Sequence, residues 1–139
     1  ASSTFTDNSR WTINKSIYDP CPVGYRVPDG GSNGVWSKAY GSSSTYKGNF
    51  YSIYKGMNLY MYGYASTIWY PASGYRHYSS GTLYGTGMYS YNWSASTEGN
   101  AAFCMSIIYY NSDSNGIHVT PGDKSLMRAK GSSVRCQKE

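Results

Sequence analysis

Three cysteines and two histidines are the residues in this chain best suited to chemistry, and their spacing limits what they can do. Cys21 and Cys136 stand near the two ends, inside the phrases Asp19-Pro20-Cys21-Pro22-Val23-Gly24-Tyr25-Arg26 and Ser133-Val134-Arg135-Cys136. Bonded, they tie the ends of the domain together, and closing so long a loop contributes on the order of 4–5 kcal/mol by restricting the unfolded chain. Left reduced, they are two small buried thiols. A loop-rich, charge-poor chain of surface character is where a disulfide is expected, and both readings stay open at this point. Cys104 is the odd one. A catalytic thiol needs a base beside it, and His77 and His118 are lone residues far from it in sequence, so Cys104 reads as a small strand side chain.

Metal chemistry has one partial motif. Asn111-x-Asp113-x-Asn115-Gly116 matches the first half of an EF-hand calcium loop, but its twelfth position is Gly122, where a bidentate Glu is required, and Pro121 interrupts the exit. The segment therefore reads as a β-turn, with Gly116 placed for positive φ. There is no zinc spacing, phosphate-cradling glycine loop, Gly-x-Ser-x-Gly elbow or evident carboxylate pair. Catalytic residues, metal ligands and a cofactor are accordingly not assigned, and no enzyme is expected. Asn14-Lys15-Ser16 and Asn92-Trp93-Ser94 match the glycosylation sequon by pattern only.

Recognition by aromatic contact is the better supported chemistry. Of 17 tyrosines, thirteen fall between Tyr40 and Tyr91, among Ser, Gly and Asn. Tyr gives a large contact area at low entropic cost, with an adaptable hydroxyl at its tip, so it suits surfaces that dock proteins or stack on sugars. Each single Tyr is as readily a core residue with its hydroxyl at the rim. Charged residues make up 14% of the chain, against roughly 25% in an average globular protein. The net charge of +5 comes from scattered residues, without the basic stripe that nucleic acid requires. No stretch approaches the ~20 apolar residues of a membrane helix, so no membrane insertion is expected. The chain starts at Ala1 without Met or a signal-like apolar segment, and is expected to be processed or a piece of a longer one.

At 139 residues one domain is expected. Helical periodicity is almost absent, which predicts short strands joined by long irregular loops. The helix candidate is Val35 to Tyr40, after the turn-like run Pro28 to Gly34. Residues 1–17 are a linker or supply an edge strand around Trp11 to Ile17. Tyr60, Tyr62 and Tyr64 alternate as in a strand. Trp69 to Arg76 reads as a strand ending in a turn, and His77 to Gly87 as loose. The clearest strands are Met88 to Ser94 and Ala101 to Tyr109. In the latter Ala101, Phe103, Met105 and Ile107 are expected to point inward, and Ala102, Cys104, Ser106 and Ile108 outward. Strands near Ile117 to Thr120 and at Ser132 to Gln137 follow. The triplet Gly24-Tyr25-Arg26 recurs as Gly74-Tyr75-Arg76, too short to define a repeat.

Four phrases in order carry a family resemblance: Asp19 to Pro28, Tyr70-Pro71-Ala72-Ser73-Gly74-Tyr75-Arg76, Tyr91-Asn92-Trp93-Ser94-Ala95-Ser96, and Arg128-Ala129-x-Gly131-x-Ser133-Val134-Arg135-Cys136. Over roughly residues 18–139 the chain resembles the Fibrobacter succinogenes major paralogous domain, common at the C-terminus of surface and fimbrillin-like proteins of gut Bacteroidales. The resemblance implies an α+β, C-type-lectin-like fold: small twisted antiparallel sheets, one or two short helices, long irregular loops, and terminal strands side by side. A Cys21–Cys136 bond suits that closure. The calcium-sugar motifs of calcium-dependent C-type lectins, Glu-Pro-Asn and Trp-Asn-Asp, are missing, so calcium-dependent sugar binding is not implied. The reactive cysteine pair of formylglycine-generating enzymes, which share a related fold, has no counterpart.

Some proteins of this fold are variable proteins of diversity-generating retroelements, in which adenine-directed mutation turns Asn codons into Tyr, Ser, Asp, His, Gly, Ile or Cys. Tyr89 to Lys130 holds such residues at irregular spots. The resemblance thus implies a noncatalytic display domain, on a cell surface, outside the cell or on a phage particle, with a protein or cell-surface ligand, glycan included. The ligand-facing residues expected are Tyr89, Tyr91, Asn100, Ala102, Cys104, Ser106, Ile108, Tyr110, Asn111 and His118, with Trp93, Phe103 and Met105 in the core. A structural or adhesin module of a fimbria or surface lipoprotein, and a calcium-independent lectin, are the alternatives.

Overall fold

Short β-favouring runs punctuated by glycine become short strands, and the computed structural model describes them over residues 7–12, 14–41, 48–60, 66–99, 101–110, 116–124 and 126–139. Asn100, Asn111, the Asn111 to Asn115 turn and the Tyr62–Tyr64 alternation lie outside the described residues.

Three strands make the main sheet: β7 (Tyr89–Glu98), β8 (Ala101–Tyr109) and β9 (Ile117–Asp123), antiparallel in that order. A second sheet is β2 (Gly48–Tyr51), β3 (Gly56–Tyr60) and β4 (Thr67–Pro71), also antiparallel. Two-residue ladders complete the set: β1 (Tyr25–Arg26) with β10 (Gln137–Lys138), and β5 (Tyr75–Arg76) with β6 (Leu83–Tyr84). The one described helix, α1, spans Val35–Tyr40 as the sequence predicts. It follows the glycine-rich turn, carries Lys38 in its last turn, and ends at Gly41 with φ 76°. Small antiparallel sheets with one short helix are thus the architecture.

The core lies between the two larger sheets. Met105, Ile107, Ile117 and Val119 of the main sheet pack against Trp36 and Tyr40 of α1, and against Met57, Leu59, Tyr70 and Ala72. Tyr40 and Tyr70 satisfy each other's buried hydroxyls at 3.1 Å. A smaller cluster of Trp93, Cys104 and Leu126, with Trp11, Tyr91, Ala102 and Val134 at its edge, sits on the other face of the main sheet.

The two ends close together. Cys21 and Cys136 are disulfide-bonded, with Cα atoms 5.7 Å apart across 115 positions of sequence, and β1 pairs with β10 beside them. Asp19 fixes this corner: its buried carboxylate accepts from the backbone N–H groups of Cys21 (2.8 Å) and Val27 (2.9 Å) and from Lys15 Nζ (3.1 Å). Arg26 holds Asp29 through two bonds at 3.0 and 2.7 Å. An intrachain disulfide is compatible with an extracellular setting. Among the described residues no helix is long and apolar enough to cross a membrane.

Two expected strands fail. Trp11 to Ile17 forms no strand over its described residues; Trp11 turns into the smaller cluster and donates its indole N–H to the Tyr18 carbonyl at 2.9 Å. The closing strand expected at Ser132 to Gln137 shrinks to Gln137–Lys138, because Gly131 and Ser133 form single bridges to Arg76 and Asn92 instead. Conversely, the stretch after His77 is not loose throughout: Leu83–Tyr84 returns to pair with Tyr75–Arg76. Both copies of the recurrent triplet open on a positive-φ glycine, Gly24 at 79° and Gly74 at 72°, followed by a two-residue strand.

Candidate ligand-binding face

Strand alternation gives the main sheet two faces. Ser90 and Asn92 of β7 stand opposite Ile107 and Met105 of β8, on the face that meets the core. Tyr89 opposite Ile108, and Tyr91 opposite Ser106, lie on the outer face, which continues to His118 and Thr120 of β9.

At one end of that face aromatic rings gather around Tyr75. The rings of Tyr84 and Tyr89 lie nearly parallel to it, with centroids 6.0 and 6.4 Å away, and Tyr91 meets it edge-on at 5.5 Å. These separations fall within the favourable range for aromatic pairs. His77 extends the group, 5.7 Å from Tyr84 and 4.4 Å from the exposed Tyr78. Glycine makes the arrangement sterically open: Gly85 has φ 67°, and a Cβ there would lie 2.0 Å from the Tyr89 ring. At the other end, the exposed Tyr110 meets His118 edge-on at 5.1 Å.

Electrostatics adds one cation and one anion to this face. Lys130 Nζ lies 4.7 Å from the Tyr75 ring centre. Burial pushes the Tyr91 phenol above its ordinary value, and the Asp123 carboxylate pushes it further, so the hydroxyl stays protonated as a donor. Burial likewise pushes the Cys104 thiol up, with Asp123 adding and Lys130 opposing. A thiol so placed is not poised as a thiolate. Beside the aromatic group an open groove of about 320 Å³ runs between β5 and the 131–133 segment, lined by Tyr75, Arg76 and Leu83 with three serines.

Of the expected ligand-facing residues, the structure brings Tyr89, Tyr91, Ile108, Tyr110 and His118 to the outer face, half-buried to exposed. Cys104 and Ser106 are corrections: they lie on this side of the strand as expected, yet their accessibilities are 0% and 2%. Leu126, Val134 and Trp11 cover Cys104, since β8 is central and this end of its outer face carries a second small core. Ala102 is also diverted, to a separate cleft bounded by Trp11 and Trp93. Trp93 and Met105 are core residues as expected, whereas Phe103 is only partly buried, against the Gly30–Gly31 turn. Tyr75, Tyr84, His77 and Lys130 were not among the ligand-facing residues expected from sequence; the glycines at 74, 81 and 85, all with positive φ, are the signal that a turn-bound aromatic hairpin lay there.

Among the described residues no group of three or more His, Cys, Asp or Glu side chains gathers in the manner of a metal site. Comparison of the chain with protein-family models, with curated proteins and with solved structures returns no match.

Proposed function

We propose that this chain is a noncatalytic ligand-binding display domain with a C-type-lectin-like fold, whose ligand is a protein or cell-surface group seated on the outer face of β7–β9. The observation that carries this reading is the Tyr75, Tyr84, Tyr89 and Tyr91 group, which presents aromatic surface with Lys130 and Asp123 beside it on a paired sheet. Rings fixed by a sheet lose little freedom on binding, which favours affinity. The paired terminal strands, the disulfide and the sparse helix support the fold assignment.

The outer face carries a mixed set of Tyr, Ile, His and Thr, while the inner face of β8 and β9 presents Met105, Ile107, Ile117 and Val119 to the core. This supports the further reading that the face is variable and made by a diversity-generating retroelement. A neighbouring reverse transcriptase gene with a near-copy template of residues 89–136 is the expected finding; absence of both overturns that part.

Binding itself is tested on an array of immobilised glycans and cell-surface proteins, probed with the wild type and with a Tyr75→Ala, Tyr89→Ala double variant. A signal on a protein or glycan that the double variant loses supports the reading. No signal for the wild type, or one that the variant retains in full, overturns it and favours a structural module of a fimbria or surface lipoprotein.

A further inference from the structure

Beside the smaller core, Arg128 is a cation without a carboxylate partner among the described residues. Its Nη1 donates to Asn8 Oδ1 at 2.5 Å, and its Nη2 donates to the carbonyls of Gly99 and Ala101 at 2.8 and 3.2 Å. All three acceptors are neutral. Of its five N–H donors two remain: the second Nη1–H, with no acceptor among the described residues, and Nε–H, buried with none. Among the described residues no Asp or Glu pairs with this guanidinium. Asp7, the acid beside Asn8 in sequence, is already engaged by Arg10 Nε at 3.1 Å and by the N–H and hydroxyl of Ser9. Those bonds hold its carboxyl far below the usual range, at about 2.

Arg128 lines a cleft of about 160 Å³, whose walls include Trp11, Trp93, Ala102 and Thr97. The cleft opens where the β7–β8 register shifts between Trp93 and Thr97, a bulge of the kind that re-aims side chains at strand ends. Its size is close to the ~150 Å³ apolar cavity that accommodates benzene in another protein. Two guanidiniums, Arg10 and Arg128, and one carboxylate, Asp7, border it, which leaves one positive charge unbalanced.

From these features we infer that the Trp11–Trp93 cleft binds a small organic carboxylate with a flat apolar body. The ring lies against the indoles, and a carboxylate oxygen accepts from the second Nη1–H of Arg128, a charge-assisted bond to a guanidinium whose other partners are neutral. The site is separate from the tyrosine face and does not depend on the function proposed for it.

Benzoate and its uncharged analogue benzamide are the probes, with tryptophan fluorescence and the ¹⁵N-resolved Arg Nε–H resonances as readouts. Benzoate is expected to give a saturable fluorescence change and to move the Arg128 Nε–H signal, with benzamide at least tenfold weaker. Arg128→Gln is expected to weaken benzoate at least tenfold. Arg128 also ties down the Gly99 and Ala101 carbonyls, so a second variant, Ala102→Leu, fills the cleft and leaves the guanidinium intact; it too is expected to lose benzoate binding. Absence of saturable binding to the wild type, equal binding of benzamide, or full binding to a folded Ala102→Leu variant overturns the inference.

Discussion

The ammonium of Lys130 sits 4.7 Å from the centre of the Tyr75 ring, so the loop after β9 is fastened to the hairpin that carries the aromatic group. An exposed cation–π contact of this kind contributes about 0.5–1 kcal/mol. Lys130→Ala is therefore expected to lower stability by about 0.5 kcal/mol while Lys130→Arg retains it. Urea denaturation midpoints of the two variants separate a charge effect from a packing effect.

Gly85 supports Tyr89 by having no side chain. Gly85→Ala combines a positive φ of 67° with a Cβ 2.0 Å from the ring, so the ring must move. A cost of about 1–3 kcal/mol is expected from backbone strain and displaced packing. Thermal melts give the magnitude, and near-ultraviolet circular dichroism reports the displaced tyrosine. An unchanged spectrum would show that the ring does not depend on this glycine.

Thiol counting tests the covalent frame. Native protein is expected to show no reactive thiol, because Cys104 is fully buried and Cys21 and Cys136 are bonded. In denaturant one thiol should titrate, and three would refute the bridge. Replacing both bonded cysteines by Ser is expected to cost about 4–5 kcal/mol, the chain-entropy value for a loop of this size.

Acid should weaken the closed ends through Asp19. Burial alone would raise its pKa, but the N–H groups of Val27 and Cys21 and the Lys15 ammonium outweigh this and hold it below 3.8. A depressed folded pKa means the contribution is present above the unfolded value and is lost as pH falls through the folded one. Stability should be flat near neutrality and drop below about pH 4. Asp19→Asn should cost about 1–3 kcal/mol at pH 7 and converge with the wild type in acid. Melting temperatures from pH 2 to 7 check both.

Base acts through the buried tyrosines. Burial pushes Tyr40 and Tyr70 above their ordinary value of 10.0, and for Tyr40 the Tyr70 hydroxyl adds to this. A raised folded pKa leaves stability intact below the unfolded value and removes it as pH climbs toward the folded one. Unfolding should therefore set in above about pH 10. Absorbance at 295 nm should show a fraction of tyrosines that ionise only together with loss of structure; a single smooth titration of all 17 would contradict the burial.

What the sequence made legible was local. Val35 to Tyr40 has few alternatives after its glycine turn, and Ala101 to Tyr109 forms the strand its residue types predict. The orientation of Cys104 was legible too, but its burial was not. Alternation tells which side of a strand a residue takes, and only a distant segment, here Leu126 and Val134, decides whether that side is covered. Tyr75 illustrates the converse. Its two-residue strand is too short for any period, and its role arises from rings supplied by Tyr84, Tyr89 and Tyr91.

The disulfide has a mechanical consequence. Tension applied to the segments flanking residues 21 and 136 passes from one to the other through the sulfur–sulfur bond. On the C-terminal side the short β1–β10 ladder peels under such a pull, and peeling stops at Cys136, because the next link is covalent. Once the Trp11 and Asn8 contacts have given way, the sheets between the two cysteines lie outside the load path. The tyrosine-bearing face would hold its shape on a stretched tether, and reduction of the bond would place the whole domain under strain.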